Sequence, residues 1–116
     1  MCTRTTLNSI TNSVKEAALG LFSDKLKSVI LYGSYARGDY DDESDIDIFL
    51  LVDLPHGDFS KYRREISKVT GKLSMEADDC VTISTTIKSL DIYSKYKDSL
   101  PFYKNVDSEG IVIYEN

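Results

Sequence analysis

The chain has 116 residues, of which 41% are hydrophobic and 28% charged, the composition of an ordinary folded domain with one core. Its formal net charge is −5 and it has no lysine- or arginine-rich block, so we expect no direct nucleic-acid binding, which needs a basic surface. The longest apolar run, Ile48 to Val52, is too short to span a bilayer, and Cys2 and Cys80 form no disulfide framework. We therefore expect a single domain over residues 1–116, in the cytoplasm.

The first half of the chain predicts two helices and two strands. Apolar residues at helical spacing predict a helix over 5–22, and Lys25 to Tyr32 read as the first strand. After a glycine turn, one helical turn is expected over 34–37. A second strand is predicted from Asp45 to Asp53, with apolar residues on both faces as in the middle of a covered sheet. A second helix is predicted from 58 to 73.

The second half predicts one more strand, one more helix and a terminal strand. The third strand is expected from Asp78 to Thr86 and is followed by a helix from Ile87 to Asp98 that ends before Pro101. Residues 102–106 read as irregular or as a short helical turn, and Ile111 to Tyr114 as the last strand. This order predicts an α/β (α+β) fold, in which helices pack mainly on one face of a mixed sheet of about four strands.

The chemistry is concentrated where the first strand turns into the second. Asp45 and Asp47 are two residues apart on a predicted strand, so both carboxylates point to one side. Two like charges held this close raise each other's pKa unless a cation neutralises them, which predicts a divalent-metal site. Gly33 lets a backbone approach phosphate oxygens, and the Ser34 hydroxyl follows it directly. Together they supply the parts for metal-dependent chemistry on a nucleoside triphosphate.

This stretch resembles the signature of the minimal nucleotidyltransferases of the DNA polymerase β superfamily. The resemblance lies in a glycine–serine pair and an Asp-x-Asp pair with ten residues between them, and the order of predicted elements also fits that family. The C-terminal stretch from Pro101 through Glu109-Gly110 to Tyr114 is similar to the tail of many members. The matching signature residues are Leu31-Tyr32-Gly33-Ser34-Tyr35-Ala36-Arg37-Gly38-Asp39 and Ser44-Asp45-Ile46-Asp47-Ile48.

The resemblance implies roles for individual residues. Gly33 and Ser34 would contact the β- and γ-phosphates of ATP, and Asp45 and Asp47 would bind Mg²⁺. A pair of magnesium ions usually takes a third carboxylate, which in this family opens a strand, binds metal and helps to activate the attacking hydroxyl.

The third carboxylate has two candidates. Asp79 is favoured because the apolar pair Cys80-Val81 follows it directly, whereas Asp78 is followed by another acid. Arg37 stands where family members often keep an arginine, so it is a candidate phosphate or partner contact; the alternative is a loop ion pair with Asp39 or Glu43. Likewise, Gly33 alone could simply make a turn and Ser34 could cap the short helix after it.

By the same resemblance, a hydroxyl attacks the α-phosphate of ATP and pyrophosphate leaves. Small stand-alone members resemble antitoxins paired with an all-helical RNase toxin of the HEPN class, which implies transfer of AMP to a tyrosine of a toxin encoded nearby. Three alternatives stay open: a non-catalytic antitoxin that acts by binding, a nucleotidyltransferase for small aminoglycoside-like acceptors, and a metal-binding domain without catalysis.

Overall fold

The centre of the protein is a four-stranded mixed sheet. The computed structural model describes residues 4–41, 44–55, 59–76 and 82–116. The strand order is β3-β2-β1-β4; β1 runs antiparallel to both of its neighbours, and β2 runs parallel to β3. The strands are β1 (Leu26–Tyr32), β2 (Ile46–Val52), β3 (Ile83–Ser89) and β4 (Ile111–Glu115).

Five α-helices connect these strands within the described part of the chain. A 3-10 turn over Ser23–Lys25 joins the first helix to β1. Among the described residues, no helix is both long and apolar enough to cross a membrane. The helices are α1 (Arg4–Phe22), α2 (Ser34–Arg37), α3 (Phe59–Glu76), α4 (Leu90–Tyr96) and α5 (Pro101–Glu109).

The two long helices, α1 and α3, pack on one face of the sheet. The buried side chains of α1 recur every four residues and form one stripe against the sheet, and α3 contributes Phe59 and Ile66 to the same core. In β2 every residue is buried except Asp47, which is half-buried. The one polar residue of the central buried strand is therefore a candidate site residue. The stripe of α1 consists of Ile10, Val14, Ala18 and Phe22.

A smaller layer covers part of the other face. Phe49 of β2 is fully buried, and its ring lies 5.8 Å from that of Tyr93 on α4 and 6.4 Å from that of Tyr103 on α5. Tyr93 and Tyr103 pack edge to face with centroids 5.7 Å apart, a geometry that favours aromatic pairs. These rings attach α4 and α5 to the face from which Asp47 also projects.

The predicted fold class is confirmed, and so are the elements of the first half to within three residues, the largest difference being the end of the second helix at Glu76 instead of 73. The helical turn after Gly33 and the last strand are also present. Residues 102–106, expected to be irregular or a short turn, belong instead to the longer helix α5, in which Pro101 occupies the first turn. Proline therefore starts a helix here as well as following one.

The boundary between the third strand and the next helix was predicted wrongly. In the structure β3 runs on to Ser89, and α4 starts only at Leu90. Ile87 was assigned to the helical stripe, but it pairs with Leu50 of β2 in the parallel ladder. Ser89 accepts a hydrogen bond from the backbone N–H of Ile92 at 3.3 Å and so caps α4. The start of the predicted strand, residues 78–81, lies outside the described residues.

Candidate active site

Gly33 makes the turn at the end of β1 and lies directly against Asp47. Its φ is +77°, a conformation that side-chain-bearing residues rarely adopt. A Cβ atom built on Gly33 would collide with Oδ2 of Asp47 and lie 3.2 Å from its Cγ. Glycine is therefore required twice here, by the backbone conformation and by the neighbouring carboxylate. This is more than the simple turn that was the alternative for Gly33.

The short helix α2 begins immediately after this turn. The carbonyl oxygen of Gly33 accepts hydrogen bonds from the N–H groups of Ala36 and Arg37, both at 3.1 Å. Gly33 itself is the N-cap, and Gly38, with φ +89°, ends the helix. Ser34 is thus the first helical residue and does not serve as the cap, which was its alternative role. Ser34 directly follows the glycine on which the Asp47 carboxylate packs.

Asp45 and Asp47 form the acidic part of the site. Asp45 is exposed and immediately precedes β2, which starts at Ile46, one residue later than predicted. Asp47 pairs with Tyr32 across the β1–β2 ladder. Burial raises the pKa of Asp47; the charge of Asp45 raises it further, and the charge of Arg37 lowers it. The like-charge repulsion expected from the sequence is therefore present. Carboxylate oxygens are the ligands that Mg²⁺ prefers, so the pair fits such an ion.

Tyr32 crosses the sheet beside this pair and was not identified as a site residue from the sequence. Its hydroxyl shares a hydrogen bond of 3.2 Å with Oγ1 of Thr86 on β3, so the side chain reaches across β2. Burial raises the pKa of Tyr32, the hydrogen bond to Thr86 lowers it, and the charge of Asp47 raises it. Tyr32 is therefore neutral at physiological pH and places an uncharged side chain next to the carboxylates.

Arg37 is held by two carboxylates. Its Nε donates to Oδ2 of Asp39 at 3.2 Å, and its Nη1 donates to Oε2 of Glu109 at 3.3 Å. The pair with Asp39 is one of the two loop ion pairs expected as alternatives; Glu43, the other candidate, lies outside the described residues. The pair with Glu109 was missed, although Glu109-Gly110 was noted as part of the tail that resembles the family.

Asp78 and Asp79, the two candidates for the third carboxylate, lie outside the described residues. From Ile83 onward β3 contains no acidic residue, and its register sets Ser84 beside Asp47. Within the described ranges no group of three potential metal ligands occurs.

A cavity of about 410 Å³ lies beside α4 and α5 on the sheet face that they cover. Its lining includes Lys27, Ser28 and Ile30 of β1 and, near the end of α5, Val106 and Gly110.

Sequence comparison identifies the family to which this site belongs. The profile described as "Nucleotidyltransferase domain" matches residues 12–106. The chain belongs to this family. The match includes the glycine turn and both carboxylates, so the nucleotidyltransferase class predicted from the signature residues is confirmed.

Two relatives of this nucleotidyltransferase come from Methanocaldococcus jannaschii. The chain is 39% identical over 84 residues to "Putative protein adenylyltransferase MJ0141", covering 72% of this chain and 80% of that protein. It is 37% identical over 93 residues to "Putative protein adenylyltransferase MJ0604", covering 80% of this chain and 83% of that protein. Both matches span most of each protein, so the similarity extends well beyond the signature.

Solved structures agree on the fold. A crystal structure described as "a putative nucleotidyltransferase from Sulfolobus solfataricus" superposes with a TM-score of 0.56 at 17% identity, covering 97% of this chain and 83% of that one. A toxin–antitoxin structure with AMP-PNP gives a TM-score of 0.53 at 20% identity, covering 91% of this chain and 73% of that one. A mutant of the toxin–antitoxin pair MntA–HpeT gives 0.52 at 19% identity, with the same coverage. At these identities the likeness concerns the fold alone.

Proposed function

We propose that this nucleotidyltransferase transfers AMP from ATP to a tyrosine hydroxyl of a partner protein, with Mg²⁺ as the required metal. The observation that carries this proposal is the packing of the Asp47 carboxylate directly on Gly33. It puts a carboxylate, a ligand type that suits Mg²⁺, beside a glycine, whose backbone a phosphate chain can approach closely. The names of the two M. jannaschii relatives support the choice of a protein as acceptor.

Each residue of the site has a part in this reaction. Gly33 and Ser34 bind the β- and γ-phosphates, and Asp45 and Asp47, with Asp79 from the segment before β3, hold the magnesium. When bound, Mg²⁺ neutralises phosphate charge and favours departure of pyrophosphate. The acceptor oxygen forms a bond to the α-phosphorus as the bond from that phosphorus to the bridging oxygen breaks. Asp79 takes the hydroxyl proton, and pyrophosphate leaves.

The partner that we propose is a toxin of the HEPN RNase class, encoded next to this protein. The similarity in fold to two toxin–antitoxin structures supports a partner of this general kind. Modification of a tyrosine would make the protein an enzymatic antitoxin. An antitoxin that acts by binding alone is the competing function, and it has no need for an acid paired with a glycine that must stay free of a side chain.

The test is a transfer assay with labelled ATP, Mg²⁺ and the product of the neighbouring gene. We expect label on the partner with the wild-type protein and none with Asp47→Asn. Asp53→Asn is the matched control, because it removes the same charge from an exposed residue at the opposite end of β2. Tight complex formation without label would instead favour the binding antitoxin, and label on an added aminoglycoside alone would favour a small-molecule acceptor.

A further inference from the structure

The ion pair between Arg37 and Glu109 joins the candidate active site to the far end of the chain. The two residues are 72 positions apart, and Nη1 of Arg37 donates to Oε2 of Glu109 at 3.3 Å. Asp39 accepts from Nε of the same guanidinium at 3.2 Å. No described residue accepts a hydrogen bond from Nη2. A guanidinium has five N–H donors, and the two carboxylates accept one from Nε and one from Nη1.

Stability does not account for this ion pair. The side chains of Arg37 and Glu109 are 43% and 38% exposed, and pairs this open to water contribute little to folding. Glu109 is also the last residue of α5, where a negative charge meets the negative end of the helix dipole. The charge of Glu109 is therefore unfavourable for α5 itself. The interaction that favours this charge is the ion pair with the guanidinium of Arg37.

The backbone beneath Glu109 is fixed. Val106, three residues earlier, is 1% exposed, and its carbonyl oxygen accepts from the N–H of Gly110 at 2.9 Å. A Cβ atom on Gly110 would collide with the side chain of Ile30 in β1. The end of α5 is thus packed against the strand that leads into Gly33. Glu109 therefore lies near the end of β1, because β4 begins just after it with Ile111 paired to Leu31.

Arg37 lies beside the glycine turn. Its backbone N–H donates to the carbonyl oxygen of Gly33 at 3.1 Å, and the Asp47 carboxylate packs on the same glycine. A fork-shaped donor at the edge of such a site suits a phosphate oxygen.

We propose that Glu109 is a positioning residue that holds Arg37 so that the remaining N–H groups of its guanidinium bind a phosphate of ATP. This inference rests on the proposed function, because it takes ATP as the ligand. Glu109 does not touch the ligand itself and acts only through Arg37. It also lies beyond residues 12–106, so the match to the family does not include it.

The experiment is a double-mutant cycle read out as the Kd for ATP in the presence of Mg²⁺, with Glu109→Gln, Arg37→Ala and the double variant. Arg37→Ala should raise the Kd at least about tenfold, since it removes a charged donor to phosphate. Glu109→Gln should raise it about threefold to fivefold, the size of a surface charge coupling. The double variant should bind ATP no more weakly than Arg37→Ala alone, because without the guanidinium Glu109 has nothing to position.

Glu65→Gln is the matched control, since Glu65 pairs with Lys68 at the same 3.3 Å on α3. It should leave the Kd for ATP unchanged while altering the melting temperature about as little as Glu109→Gln. Independent, additive losses in the cycle, or tighter ATP binding by Glu109→Gln, would overturn the positioning role while leaving the proposed function intact. A wild-type protein that binds no ATP would overturn both.

Discussion

The side chain of Asp47 fills the space that a Cβ atom on residue 33 would need. The nearest carboxylate oxygen would collide with that atom, and Cγ and Cβ of Asp47 would lie 3.2 and 3.4 Å from it. The contact arises because Asp47 pairs with Tyr32, the residue before Gly33, across two antiparallel strands. The turn and the acid are therefore one structural unit, and a change in either alters the other.

Substitution of Gly33 by alanine tests this unit. Gly33→Ala must adopt a positive φ and must also displace Asp47, so we expect a loss of roughly 2–4 kcal/mol in the free energy of unfolding, together with loss of transfer activity. Gly38→Ala is the control, because Gly38 has a similar φ of +89° but nothing within 4 Å of its Cβ position. It should lose only about 1 kcal/mol. If urea denaturation gives the same loss of unfolding free energy for both variants, the contact with Asp47 contributes nothing to the requirement for glycine at position 33.

Replacement of Asp47 by asparagine should abolish transfer yet stabilise the metal-free protein. The folded-state pKa of Asp47 is raised above its unfolded value, so its contribution to stability is fully present below the unfolded pKa, about 3.9. That contribution is lost as the pH rises through the folded pKa. Asp47→Asn cannot ionise, so its melting temperature should exceed that of the wild type at pH 7.

The excess should shrink as the pH falls toward about 3, where both states of the wild type bind the proton. Thermal melts over a pH series with a chelator present measure this directly. Asp53→Asn, which removes an exposed charge at the far end of β2, distinguishes the local effect from the overall change in net charge. If the two variants follow the same pH curve, neither the burial of Asp47 nor the charge of Asp45 affects stability.

Metal and nucleotide should stabilise the protein together. A ligand that binds only the folded state raises its melting temperature, by an amount that grows with ligand concentration over Kd. ATP with Mg²⁺ should therefore give a larger shift than ATP with chelator, and Asp45→Asn should remove most of the difference. The same shift with and without Mg²⁺ would mean that the nucleotide does not bind beside the carboxylates.

Substitution of Asp79 and of Asp78, one at a time, tests which of them is the third carboxylate of the site. Because Asp79 is the predicted third carboxylate, Asp79→Asn should reduce transfer at least about a hundredfold, the usual contribution of a group that removes a proton from the nucleophile. Asp78→Asn should retain most of the activity. Initial rates with labelled ATP and the partner protein provide the measurement, and the reverse order of the two variants would assign the role to Asp78.

The glycine turn and the acid pair could be predicted because they lie close together along the chain. A glycine after an apolar strand and two acids at a spacing of two are local patterns, and the antiparallel return of β2 then sets Asp47 beside Gly33. Local patterns failed at Ile87, whose spacing fitted a helix. It remains in a strand because pairing of β3 continues along β2 as far as Val52.

The sequence by itself determined the class of fold, the glycine turn and the acid pair of this nucleotidyltransferase. Only the tertiary structure decided that Tyr32 bonds Thr86 across 54 residues and that Glu109 holds Arg37 across 72. The physical reason is that such partners are brought together by sheet order and helix packing, which depend on the entire core and leave no spacing that a local pattern can reveal.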